Sequence, residues 1–114
     1  MLTPESLDGH FTLVTAAARY DALRLRDSLA GKPDGQPLSR DEALEMLALG
    51  EVIARKAAYG RQPSVRSARA LGASWSQIGA AQGISKQAAW EAHGRWLEGS
   101  ADGSGAGEGR ERSA

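Results

Sequence analysis

The 114-residue chain contains no cysteine and few aromatic residues, 5% in all. Without cysteine it forms no disulfide and offers no thiol nucleophile, and its composition is compatible with a reducing cytoplasm. β-Branched residues are scarce and no long run alternates apolar with polar side chains, so nothing calls for a strand. Alanine, leucine and arginine abound instead, and an all-α fold is expected. No apolar stretch approaches the roughly 20 residues that cross a bilayer, and no secretory hydrophobic segment follows Met1. No membrane partner is expected, and the location is expected to be cytoplasmic. Catalytic constellations are missing too: there is no Ser/His/Asp or Cys/His set, no paired-carboxylate site, and the glycine-lysine pair at Gly31 lacks the rest of a phosphate loop. The only histidines, His10 and His93, are far apart in the sequence with no acidic cluster beside either. The chain is therefore expected to be no enzyme and to carry no cofactor or metal.

What is present is helical patterning. Thr3 can cap a first helix with Pro4 as its first residue, where a missing N–H costs no bond. Leu7, Phe11, Val14, Ala18, Ala22, Leu25 and Leu29 recur three or four residues apart, a packing seam that carries this helix to about Ala30. Gly31 to Leu38, with its glycines and prolines, reads as a loop. Ser39 and Glu42 form a capping box for a second helix that runs to about Tyr59, with Ala43, Leu47, Gly50, Ile53, Ala54 and Ala57 on one face. Leu44, Ala48 and Val52 widen that stripe, so this helix is expected to meet more than one partner, a second copy among the candidates. Residues 1–60 thus read as a helical hairpin and a possible dimerisation region. Gly60, Gln62 and Pro63 then break the chain, and Ser64 caps a third helix with Val65, Ala68 and Leu71 inward and Gly72 at its end.

The most informative stretch is ASWSQIGAAQGISKQAAWEAHGRW, from Ala73 to Trp96. Ser74 and Gln77 form a capping box, so a short helix starts at Trp75 with Ile78 and Ala81 inward. Gly79 offers no side chain where a second helix must cross closely. Gly83 ends this helix, Ile84 plugs the corner, and Ser85 caps the next helix, from Lys86 to about Trp96. With Ala89, Ala92, His93 and Trp96 inward, that helix presents Lys86, Gln87, Trp90, Glu91 and Gly94 on its opposite face. Two short helices joined by so tight a corner have the punctuation of a helix-turn-helix, whose second helix reads base edges in the major groove of DNA. Lysine can donate to guanine and glutamine can pair with adenine there. Trp90 either meets thymine methyls and sugar or covers the core or an N-terminal helix.

Charge is unevenly spread. From Arg61 to Trp96 the cations Arg61, Arg66, Arg69, Lys86 and Arg95 face Glu91 alone, a net of +4, although the whole chain sums to zero. A basic segment coinciding with the motif supplies the phosphate attraction that DNA binding requires. Arg66 and Arg69 would reach phosphates beside the groove or, equally, pair with acids of the second helix.

The segment VRSARALGASWSQIGAAQGISKQAAW resembles the helix-turn-helix of small bacterial DNA-binding proteins related to sigma-factor region 4, many of which have GASW, then IG, then QAAW. A weaker likeness in LSRDEALEMLALGEVIARKAA resembles the helix that precedes such domains. The resemblance implies a bacterial transcriptional regulator, with Ser85, Lys86, Gln87 and Trp90 at or beside the DNA and with Ile78, Gly79, Ile84 and Ala89 holding the two helices together. At His93 the pattern implies a large apolar residue, often phenylalanine.

These readings combine into an N-terminal helical pair, a three-helix helix-turn-helix unit over 61–97, and a tail over 98–114. The tail is glycine-rich and unpatterned and is expected to be disordered, with Arg110 and Arg112 offset by neighbouring acids. The expected function is sequence-specific binding of double-stranded DNA by a nucleoid-associated homodimer, through Ser85, Lys86, Gln87, Trp90, Arg66, Arg69 and Arg95. The rival is a helical adaptor that grips a protein partner through the apolar N-terminal helices.

Overall fold

A computed structural model of the chain describes residues 1–104, and all the regular structure among them is helical. The helices are α1 (Pro4–Asp8), α2 (Leu13–Ser28), α3 (Arg40–Tyr59), α4 (Arg61–Ala70), α5 (Trp75–Gln82) and α6 (Lys86–Ser104). The chain divides into two compact units, Met1–Tyr59 and one that begins at Gly60. Each has its own apolar cluster. Among the described residues, no helix is long and apolar enough to cross a membrane.

In the first unit, the helix expected to run unbroken from Pro4 to Ala30 is two helices. Thr3 caps α1 as expected, with Pro4 at the first position. α1 ends at Gly9, and Thr12 restarts the chain: its Oγ1 accepts from the Thr15 amide at 3.1 Å while the Thr12 amide donates to Thr15 Oγ1 at 2.8 Å. This reciprocal pair competes with continued helix, because short hydroxyl side chains bond the backbone more readily at a cap than inside a helix. The seam is displaced as a result. α2 buries Ala16 and Leu23 against α3, with Tyr20 half-buried between them, whereas Val14, Leu25 and Leu29 of the expected seam are 77%, 59% and 45% exposed. Only its first members, Leu7 and Phe11, pack on the core.

α3 forms as read, with the Ser39–Glu42 capping box in place. Its buried residues are Ala48, Leu49 and Val52, while Leu44 and Leu47 lie largely exposed, contrary to the expected face. Gly50 does face inward, since a Cβ there would touch the Tyr20 ring at 3.4 Å. Two guanidinium forks lace the hairpin: Arg19 donates to both oxygens of Glu45 at 2.9 Å, and Arg26 to both oxygens of Glu42 at 2.8 and 3.1 Å. Arg26, and then the Ser39 amide, hold the Glu42 carboxyl down to about 2. Such bidentate pairs fix geometry as well as adding attraction. Glu5 and Asp8 tie α1 to Arg55 and Lys56 of α3.

In the second unit, α4 begins at Arg61, four residues earlier than expected, with Gly60 as its cap. Pro63 occupies the first turn, where an amide hydrogen would have no helical partner, so it does not break the helix. Ser64 is therefore no cap. Its Oγ donates to the Gly60 carbonyl at 2.8 Å from within the helix. Leu71, expected inward, is 88% exposed just beyond the last turn. α6 runs to Ser104, well past the expected end near Trp96. No proline interrupts it, and its glycines cost only about 1 kcal/mol each relative to alanine. Residues 98–104 of the expected tail are thus helical, and 105–114 lie outside the described residues.

Candidate nucleic-acid interface

The corner between α5 and α6 is built by its caps. Ser74 Oγ accepts from the Gln77 amide at 3.1 Å and the Gln77 side chain accepts from the Ser74 amide at 2.8 Å, so α5 starts at Trp75. Gly83, at φ +75°, ends it in the left-handed region that glycine enters without strain. The Ile84 amide then donates back to the Gly79 carbonyl at 2.9 Å and the Gly83 amide to Ala80 at 3.1 Å, the paired bonds of a Schellman stop. α4 stops the same way at Gly72, where the Ala73 amide donates to Ala68 at 3.0 Å. Ser85 Oγ accepts from the Ala88 amide at 3.0 Å and caps α6.

Gly79 sets how closely the two helices meet. A Cβ at this position would lie 2.9 Å from the Ile84 carbonyl oxygen and 3.0 Å from both Ser85 C and Lys86 N. Those are backbone atoms and cannot swing aside, so the first residue of α6 rests directly on α5. Ile78, Val65 and Ala89 are buried around this crossing, one from each helix of the unit. Ala81, expected inward, is exposed. Ile84 covers the corner only in part, at 42% exposure.

His93 is the unit's one buried polar residue among those described, 6% exposed. Its ring is 5.6 Å from Trp75 and 5.4 Å from Trp96, centroid to centroid. The Arg69 guanidinium lies 5.0 Å over Trp75, and that of Arg66 5.4 Å over Trp96. Arg69, Trp75, His93, Trp96 and Arg66 therefore form one stack that joins α4, α5 and α6. Nδ1–H of His93 donates to Gln62 Oε1 at 2.8 Å, which satisfies its buried polar edge. Burial first, then the charges of Arg66 and Arg69, hold the imidazole below its ordinary value of 6.5 and so favour the neutral ring.

Arg66 and Arg69, read as reaching phosphates or acids of the second helix, are exposed and lie over tryptophan faces, and Arg69 also donates to the Ala73 carbonyl at 2.9 Å. Lys86, Gln87 and Arg95 lie exposed along α6, with Trp90 55% exposed, while Ser85 caps the helix between them and the corner. Gly94 is half-buried, yet nothing lies within 4 Å of where its Cβ would stand. Glu91 joins the group, although it was not among the expected site residues. Its carboxylate accepts from Gln87 Nε2 at 3.0 Å. The four-residue spacing of Gln87 and Glu91 was the available signal, since side chains so spaced are neighbours on a helix.

The chain matches no family model, curated protein or solved structure.

None of α4, α5 and α6 carries an acidic residue in its first turn, and neither does α2, whereas α1 has Glu5 and α3 has Asp41 and Glu42 there. Arg61 and Lys86 instead occupy first positions, where a cation opposes the helix dipole. The unit thus leaves the positive ends of its helices unneutralised, an arrangement that favours an external anion.

Two tests probe this construction. Gly79→Ala should destabilise the protein by about 1–3 kcal/mol through overpacking, whereas Gly94→Ala should stabilise it by up to about 1 kcal/mol through helix propensity; chemical denaturation followed by circular dichroism checks both. Because the folded imidazole titrates below its unfolded value near 6.5, the unfolded chain binds the extra proton in the interval between the two. Stability should therefore be full above that value and fall as pH drops through the interval. Denaturation midpoints measured against pH should lose this component in His93→Phe, and an unchanged profile would contradict the neutral buried ring.

Proposed function

We propose that the unit beginning at Gly60 is a helix-turn-helix that binds double-stranded DNA with sequence preference, and that the chain is a bacterial transcriptional regulator acting as a homodimer on the nucleoid. The observation that carries the reading is the start of α6. Lys86 and Gln87 stand exposed on its first turn, at a helix end without acids, on a backbone that Gly79 seats against α5. Recognition helices read base edges mainly with such first turns. Gln87 has an amide hydrogen engaged by Glu91. Its carbonyl oxygen and second amide hydrogen are left for N6 and N7 of an adenine, and the held geometry reduces the side-chain freedom lost on binding. Lys86 would donate to guanine or to phosphate, and the half-exposed Trp90, one turn further on, meets thymine methyls or sugar. The net +4 of Arg61 to Trp96 supplies the sequence-independent attraction. Arg66 and Arg69 contribute to that field from their places over the tryptophans, and Arg95 from the flank of α6.

Selection of bound fragments from randomised duplexes tests this directly. The protein should enrich a common site, and its affinity for that site should fall on the order of a hundredfold between about 50 and 200 mM salt, the loss expected for about four neutralised phosphates. Lys86→Ala combined with Gln87→Ala should bind DNA without preference, since each good base contact contributes about 1–3 kcal/mol of discrimination. Enrichment of no site, with binding to DNA absent at low salt, would overturn the proposal in favour of a protein-binding adaptor, the reading that the exposed apolar residues of α2 favour.

A further inference from the structure

We infer that the outward face of α2 is the surface on which two copies of this chain join, as an antiparallel α2 pair related by a two-fold axis beside Asp21 and Ala22. This rests on the dimer in the reading above and gives it a location. α2 has two apolar stripes. The stripe of Ala16, Tyr20 and Leu23 is taken up by α3. The opposite stripe of Val14, Ala18, Ala22, Leu25 and Leu29 is exposed along the whole helix. Val14, Leu25 and Leu29 are 77%, 59% and 45% exposed, a contiguous run rather than the scattered apolar residues of an ordinary surface.

The occupant follows from the spacing and the charges. With Asp21 included, the stripe occupies positions 14, 18, 21, 22, 25 and 29, a set that reads the same in both directions. An antiparallel copy therefore sets Val14 against the second copy's Leu29, Ala18 against its Leu25, and Asp21 against its Ala22. A two-fold interface requires such self-complementarity, and an unrelated partner does not. Asp21 is the only charged residue of the stripe, and Arg24 lies one turn along on the same edge. The two-fold sets the two Asp21 side chains beside each other and brings the Arg24 of each copy to the Asp21 of the other, so one attraction, made twice, offsets the repulsion between the carboxylates. The ion pairs of the hairpin use Arg19, Arg26, Glu42 and Glu45; neither Asp21 nor Arg24 has an ion-pair partner among the described residues, and the exposed Arg24 guanidinium lies 6.0 Å over the Tyr20 ring. The exposed Leu44 and Leu47 of α3 offer no comparable face, because Arg40, Glu51 and Arg55 are interspersed with them.

The 16 residues of α2 extend about 24 Å at 1.5 Å per residue. A single helix pair of that length falls at the small end of specific interfaces, so the association is reversible and depends on concentration. Joining two copies places two α6 helices in one particle, which lets a modest contact gain by binding paired half-sites.

Sedimentation velocity of the full chain over a range of concentrations tests the inference, with helicity of every variant checked by circular dichroism. The unaltered chain should pass reversibly from 12.0 kDa to twice that mass. Leu25→Glu should abolish the heavier species. Asp21→Arg and Arg24→Asp should each weaken self-association by about tenfold or more, since like charges then face each other. An equimolar mixture of those two variants should recover it, because each then supplies the charge that the other needs. A dimer that persists in all the variants would overturn the α2 face while leaving a dimer formed elsewhere. A chain that stays at 12.0 kDa throughout would overturn the face and the dimer together, and enrichment of a DNA site by that monomer would still leave the groove-reading proposal standing.

Discussion

The missing side chain at Gly79 lets the backbone of Ile84, Ser85 and Lys86 lie against α5 at van der Waals contact. Much else in the second unit follows from it. The corner is short because Gly83 reverses the chain in a conformation that other residues adopt only with strain. α6 therefore leaves the corner in a defined direction, with its first turn uncovered. Ser85 satisfies the freed amide of Ala88 and so holds that first turn in helical form. A side chain at position 79 would separate the helices and move Lys86 and Gln87 relative to the rest of the unit.

A small three-helix cluster needs more than this crossing to stay closed, since it buries few apolar side chains. The stack from Arg69 through Trp75, His93 and Trp96 to Arg66 supplies the additional burial. It places a hydrogen-bonded imidazole between two indole rings. The two guanidinium groups cover the outer tryptophan faces, a cation–π arrangement that remains favourable in water. The same arginines lower the proton affinity of His93 and keep a positive field over the unit. One set of contacts thus serves both packing and electrostatics.

The sequence was most legible where capping chemistry decides structure. Thr3, Ser39, Ser74, Gly83 and Ser85 act as their residue types require, because those bonds are local. The close approach at Gly79 and the inward Ala89 and His93 were legible for a related reason, since both follow from the α5–α6 corner. Less legible was anything decided by competition between two acceptable choices. Thr12 and Thr15 could continue a helix or cap a new one, and the chain takes the reciprocal cap. Val14 and Ala16 begin two apolar stripes with the same helical period, so spacing alone could not tell which one α3 covers. For Arg66 and Arg69 the sequence left phosphates and acids of the second helix as equal partners and did not show the tryptophan faces, because Trp96 and Trp75 are distant in sequence or masked by the turn at Gly72. Pro63 looked like a breaker because its place in the first turn depends on where α4 starts.

The central claim is that the outward face of α6 meets the DNA while the stacked tryptophans stay in the interior. The three tryptophans of the chain give three indole N–H resonances, which makes a nitrogen-15 nuclear magnetic resonance titration with a selected duplex the most direct measurement. The account predicts that the Trp90 indole and the amides of Lys86, Gln87 and Glu91 shift, with the Trp75 and Trp96 indoles nearly unmoved. Shifts confined to Met1–Tyr59, or none with excess duplex at low salt, would contradict it.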